Sequence, residues 1–197
     1  ALQQVIDIPT RLIGEFNRLN VELIGHYTMD CEDPAHTSLW ANVGNDSRLE
    51  LSVDPLGLAN DLAFLPEPFF DRRDFRPLNL PIVFAGAPDA AQLEAAGTIS
   101  SWFGALAGFR GASFPAAVGQ IPAKGHAVVL ALGAQGVAGL NLPASSGPSV
   151  TMASHPSDPA AKLLIIRGRD AQGLKRAATA LAVGAPALSG PTAMISE

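Results

Sequence analysis

The chain is poor in sulfur, in charge and in amphipathic rings. Cys31 is the single cysteine among 197 residues, so no internal disulfide and no multi-cysteine metal site can form, and the redox compartment stays open. Charged residues make up 16% of the chain and the formal net charge is −5. That excludes the basic surface a nucleic-acid partner requires. No apolar run approaches the roughly 20 residues of a membrane-spanning helix; Ala127–Leu132 and Leu163–Ile166 are strand-length. The dinucleotide G-x-G-x-x-G, the Walker A loop and the G-x-S-x-G elbow are all missing. The chain opens at Ala1 without an initiator methionine or a leader pattern, as expected of a mature form or a fragment. What is present is apolar: hydrophobic residues are 48%, enough for a sizeable core in one or two domains.

Up to about Asp61 the pattern is β. Leu19, Val21 and Leu23 alternate with Asn20 and Glu22, and Leu49, Leu51 and Val53 alternate with Arg48, Glu50 and Ser52, the period-two signature of a strand. Val5–Ile8 reads as a weaker third strand, and Phe16 extends the second. Gly44-Asn45-Asp46 has turn chemistry. A jelly roll takes about eight strands. This part is therefore expected to be the end of an all-β, jelly-roll-like sandwich, completed by strands before Ala1 or by another copy of the chain. The proline-braced stretch from Leu65 reads as a linker. From Leu80 onward strands and helices alternate. Pro81–Ala85 and Val128–Leu132 are apolar without alternation, as in strands covered on both faces; Val150–Ala153 and Leu163–Ile166 follow. Asp89 and Asp170 stand where helices start. Leu93, Ala96, Ile99, Trp102, Phe103 and Leu106 recur at helical spacing, as do Leu174, Ala177, Ala178 and Leu181, with Gly184 as the stop. Thr192–Ser196 reads as a last short strand. The expected organisation is a β part over 1–64, a linker over 65–79 and a doubly wound α/β domain over 80–197.

Several phrases in fixed order carry a family resemblance. Pro68-Phe69-Phe70-Asp71 leads to Leu80-Pro-Ile-Val-Phe-Ala-Gly-Ala-Pro-Asp89 and Ser101-Trp-Phe-Gly104. Upstream stands Tyr27–Trp40 (YTMDCEDPAHTSLW); downstream stand His155-Pro-Ser-Asp-Pro159 and Lys162-Leu-Leu-Ile-Ile-Arg-Gly-Arg-Asp170. Together they resemble the BcsB family, the periplasmic subunit of bacterial cellulose synthase, over nearly the whole chain. The resemblance implies a carbohydrate-binding-like β domain followed by a flavodoxin-like domain. It also implies a non-catalytic role beside the membrane-embedded synthase, guiding nascent β-1,4-glucan. The parent would be periplasmic, held to the inner membrane by a segment absent from this chain.

The residues themselves offer few reactive groupings. Asp30, Cys31, Glu32, Asp33 and His36 are dense in polar chemistry, yet Cys31 and His36 flank Pro34 in a loop, and two such ligands are half of a zinc site. They read as turn caps around a small buried cysteine. No catalytic residue and no metal or cofactor is assigned. The Gly86-Ala-Pro-Asp89 loop lacks phosphate donors: Pro88 has no N–H, and Asp89 would repel an anion at that helix start. Asp54, Asp61, Glu67, Asp71 and Asp74 are available as paired carboxylates for a glycan hydrolase or esterase, but read as solvated linker charges. Arg72, Arg73 and Arg76 are the weak alternative for a cyclic di-GMP site, since guanidinium planes suit phosphate and guanine. Asn45-Asp-Ser47 adds to that echo in reversed order, and Asp71 and Asp74 among the arginines favour local ion pairs. For glycan, the rings are Tyr27, Trp40 and Trp102. Trp102 sits on an apolar helical face and reads as core. Trp40 and Tyr27, with Asp33, His36 and Asn42 near them in sequence, are the candidate glucan contacts.

Overall fold

A computed structural model describes residues 57–142 and 146–196 without interruption; within the first 56 residues it describes 7–14, 16–18, 20–22, 24–26, 28, 33, 35–42, 44–45 and 48. Two compact units divide the chain, Ala1–Ser52 and Val53–Glu197. Of the alternating stretches, 49–53 lies outside the described residues, as do Val5, Ile6, Leu19 and Leu23; Asp7, Ile8 and Asn20–Glu22 are described and stand outside any strand. Val21 and Phe16, which are described, are exposed and outside any strand. Local turns order what is described of the first unit. Gly14 N–H donates to the Asn17 side chain at 2.9 Å, and a 3-10 turn spans Thr10–Leu12. Leu39 packs so close to Gly25 that a Cβ there would meet its Cδ2 at 2.7 Å.

The second unit is a mixed α/β domain. Its elements are β1 (Leu78–Asn79), β2 (Ile82–Phe84), α1 (Ala90–Ala107), β3 (Ala112–Ser113), β4 (Ala116–Val118), β5 (Ala127–Leu132), β6 (Ser149–Ser154), β7 (Lys162–Gly168), α2 (Ala171–Gly184) and β8 (Thr192–Met194). Six strands form one sheet in the order β4-β2-β5-β7-β6-β8, and β1 pairs with β3 apart from it. The first four strands of the large sheet run parallel. β6 lies antiparallel between β7 and β8.

Strand side chains alternate between two faces. Ile82, Phe84, Val128, Leu130, Val150, Met152, Leu164 and Ile166 meet both helices through Ile99, Phe103, Leu174 and Leu181. Val83, Ala127, Val129, Ala131, Leu163 and Ile165 face the other way, under Ile121, Val137, Leu140 and Leu142. A doubly wound sheet would carry helices on both faces. Among the described residues both helices share one face, and loops cover the other. The loops following β4 and β5 carry no helix, which is why the expected second layer is not there.

The helix boundaries follow from their caps. Asp89 accepts from Gln92 N at 2.8 Å, while the Gln92 side chain accepts from Asp89 N at 3.3 Å, a reciprocal capping box. Ala96, Ile99 and Phe103 are buried as expected, while in the capped first turn Gln92 is buried and Leu93, expected on the core face, is exposed. Asp170 caps α2 through Gly173 N at 2.8 Å. Gly168 allows that helix to start directly on the strand, since a Cβ there would meet Leu174 N at 2.1 Å.

The stretch 65–79, expected as a linker, belongs to the domain. Phe69 and Phe70 are buried in the helix-side core with Leu62, and Leu65 and Leu78 pack against it. Prolines and charges hid this, because the two rings point inward from a run of turns; the Leu65-Pro66 and Glu67-Pro68 bonds are cis. A polar cluster at the amino end of the sheet ties the preceding residues down. Buried Lys162 donates to Asn60 Oδ1 at 2.8 Å and Ser154 Oγ at 3.0 Å. Asp61 accepts from Ala63 N at 2.9 Å and Gly190 N at 2.7 Å.

Candidate functional site

In an open α/β sheet the ligand crevice lies at the carboxyl ends of the strands where the strand order reverses. Here that point lies between β2 and β5, because the chain leaves β2 for β4 on one side and returns to β5 on the other. Gln135 fills it. Its Oε1 accepts from Leu132 N at 3.0 Å and from Gln92 Nε2 at 3.2 Å. A Cβ on Gly86 would already meet Gln135 Nε2 at 3.3 Å. One of the free N–H groups at the start of α1, Gln92 N, is taken by the Asp89 carboxylate, whose charge stands where a phosphate would have to sit. The geometry identifies Gln92 and Gln135 as the groups occupying the crevice beside the Gly86–Asp89 loop. Neither was legible in advance. A glutamine in a first helical turn signals a capping box, but its partner 43 residues away leaves no local trace.

The arginines at 72–76 are exposed and their carboxylates are engaged locally. Asp74 takes both Nε and Nη2 of Arg76, the closest contact at 2.7 Å. That bond, with the Arg76 N–H, holds the Asp74 carboxyl down at about 2. Asp71 accepts from Arg73 N at 2.8 Å, and its carbonyl accepts from Arg110 Nη1 at 2.9 Å. Arg110 lies 4.3 Å over the Phe70 ring, within cation–π range. So Asp61, Asp71 and Asp74 accept backbone N–H bonds at turns of a folded segment. Trp102 is half-buried at the margin of the helix-side core, its ring centroid 4.5 Å from that of Phe103.

The candidate glycan residues lie in the first unit. Trp40 is 74% exposed. It follows a run of turns in which Asp33 Oδ1 accepts from Ala35 N at 3.0 Å, His36 Nδ1 from Ser38 N at 3.2 Å and His36 O from Leu39 N at 2.9 Å. Asp33, His36 and Asn42 are exposed on the same stretch. Tyr27 lies outside the described residues, as do Asp30, Cys31 and Glu32, Asp46 and Ser47, and Asp54. Among the described residues no group of three metal-ligating side chains comes together, and no helix is long and apolar enough to cross a membrane.

The comparisons cover both units. The model of the first FD domain of cellulose synthase BcsB matches residues 61–195, and that of its first CBM domain matches residues 1–55. A "Cyclic di-GMP-binding protein" of Pseudomonas fluorescens (strain SBW25) is 51% identical over 197 residues, covering 99% of this chain and 26% of that protein. Its namesake in Xanthomonas axonopodis pv. citri (strain 306) is 52% identical over 202 residues, covering 98% and 25%. A "Putative cellulose synthase 2" of Komagataeibacter xylinus is 36% identical over 180 residues, covering 88% and 11%. The chain thus spans about a quarter of the length of the first two relatives. The two domain models match in consecutive order, the FD model over more than half of the chain, so the chain belongs to the cellulose synthase BcsB family.

Proposed function

We propose that this chain is a non-catalytic portion of a cellulose synthase accessory subunit, working in the periplasm beside the membrane-embedded synthase. Its first unit contacts the nascent β-1,4-glucan, and its second is a scaffold. The observation that carries this reading is Trp40: a ring 74% exposed on a polar turn, in the unit matched by the CBM model, offers the apolar face and hydrogen-bonding rim a sugar ring needs. The second unit is a flavodoxin-like fold in altered form. Its parallel strands run in the flavodoxin order 2-1-3-4, with antiparallel β6 inserted before β8 and the usual ligand crevice closed by Gln92 and Gln135. A guide must let its polymer slide, and single-ring contacts strengthened by repetition along the chain suit that task. Titration with soluble cello-oligosaccharides, followed by NMR, tests the reading. Shifts clustered at 33–42 support it, and shifts confined to the α/β unit refute it.

The printed name of the relatives raises a second reading, cyclic di-GMP binding. Arg72, Arg73 and Arg76 are the residues that would serve it. The Asp74–Arg76 fork would first have to open. Calorimetry with cyclic di-GMP decides: micromolar affinity lost in the Arg76→Ala variant establishes a nucleotide site at this turn.

A further inference from the structure

The loop-covered face of the sheet carries one charged residue among its apolar floor. Arg167, near the carboxyl end of β7, is 6% exposed. Its Nη2 donates to Gly133 O at 3.3 Å, and its Nε has no hydrogen-bond partner. Among the described residues no carboxylate pairs with it. A buried guanidinium left this way is costly, because desolvation is not repaid by a counter-charge. Its surroundings are shaped as a site. A groove of about 320 Å³ lies over β6, β7 and β8, with Leu142, Ile165 and Met194 giving apolar walls and Asn141, Ser149, Thr151 and Thr192 giving polar groups. The volume is at the small-ligand end of binding cavities. The strand register places Ser149 directly beside Arg167 and Thr151 beside Thr192, whose hydroxyl oxygens lie 3.0 Å apart.

The geometry points to this groove as a binding site for a single carboxylate carried on a short apolar body, with Arg167 as its counter-ion. A carboxylate is planar and accepts a guanidinium fork through two parallel bonds. Arg167 is the sole cation among the lining residues, so a phosphate dianion would be left half compensated. The apolar walls suit an aliphatic stem behind the acid group. A free small acid and a glutamate side chain share this chemistry, and the test separates them.

The test uses the 197-residue chain labelled with ¹⁵N, following the Arg167 Nε–Hε resonance. Butyrate, butyramide, sulfate and the peptide acetyl-Ala-Glu-Ala-amide are titrated at matched ionic strength. A saturable shift is expected with butyrate or the peptide at about 1–10 mM, the affinity of a single anchored charge, with no saturation by butyramide or sulfate. Whichever carboxylate saturates at lower concentration identifies the source. The Arg167→Met variant should show no carboxylate-dependent shift at neighbouring Ser149 and Thr192. Arg167→Lys, which keeps the charge and loses the fork, should weaken binding about tenfold and serves if Arg167→Met does not fold. No saturable shift with either carboxylate, or an equal shift with butyramide or sulfate, overturns the proposal.

Discussion

The two faces of the six-stranded sheet grow from the same strands but are closed by different means. The face under α1 and α2 is built of large side chains, with Phe84, Leu130, Met152 and Ile166 meeting Phe103 and Leu181. The face under the loops mixes smaller ones, Val83, Ala127, Val129 and Ala131, with Leu163 and Ile165 beneath Val137 and Leu140, and it alone carries the groove at Arg167. Helices bring broad apolar stripes that demand bulk from the sheet. Loops bring few apolar groups and lie close, so the strands beneath them offer small residues. The helical side holds the fold, and the loop side has room for a ligand.

The largest expected effects test that division. Phe103 is fully buried, with Phe69 edge-on at a centroid distance of 6.4 Å. Phe103→Ala should cost about 3–5 kcal/mol by urea denaturation. With the deletion matched across the two faces, Leu163→Ala on the loop side should fall near the low end, and Leu164→Ala on the helix side near the high end, of the roughly 2–5 kcal/mol such a change costs. Comparable losses at the two sites would break the distinction.

Next in size is the helix cap. Asp89→Ala removes the acceptor of Gln92 N and should cost about 0.5–2 kcal/mol. It should also loosen the Gln92–Gln135 contact that fills the crevice. An unchanged denaturation midpoint would show that Asp89 is not what holds the start of α1.

A smaller effect is a pH dependence. His126 Nδ1 accepts from Lys162 N at 2.9 Å, and its ring meets Phe69 at 5.7 Å. Burial lowers its pKa below the ordinary 6.5, against the opposing pull of the Asp158 carboxylate, with His155 and Lys162 adding to the drop. The folded state therefore resists protonation. Below about pH 6.5 the unfolded chain takes up the proton first, so stability falls as the solution is acidified and is fully present above that pH. His126→Asn keeps an acceptor for Lys162 N and cannot titrate. It should lose less stability than the parent chain between pH 7 and pH 5 in paired denaturation curves. Equal losses would assign the acid sensitivity elsewhere.

The same contrast explains what was legible in the sequence. Apolar runs at 81–85, 128–132 and 163–166 and the helical spacing in α1 and α2 announced the α/β domain, because deep burial constrains every position. The linker reading of 65–79 failed because Phe69 and Phe70 are the two inward residues in a stretch otherwise written in prolines and charges. The loop-covered face was invisible, since Val137, Leu140 and Leu142 lie in a glycine-rich stretch without periodicity. Arg167 did leave a signal: an arginine ending the run Leu163-Leu-Ile-Ile166 stands where a buried strand would not place a charge for stability alone. In the candidate glycan site the sequence named the residues. It left the state of Trp40 open between core and surface, because a ring beside polar residues suits both.

The smallest expected effect on stability is also the most direct test of function. Trp40→Ala should leave stability within about 0.5 kcal/mol of the parent, as for other exposed positions, while abolishing the binding of cellohexaose followed by NMR titration. Melting temperature and titration are to be measured on the same sample. Lost binding with unchanged melting is the expected result. Retained binding, or a melting temperature lowered by several degrees with no binding in the parent chain, would contradict a glucan contact at Trp40.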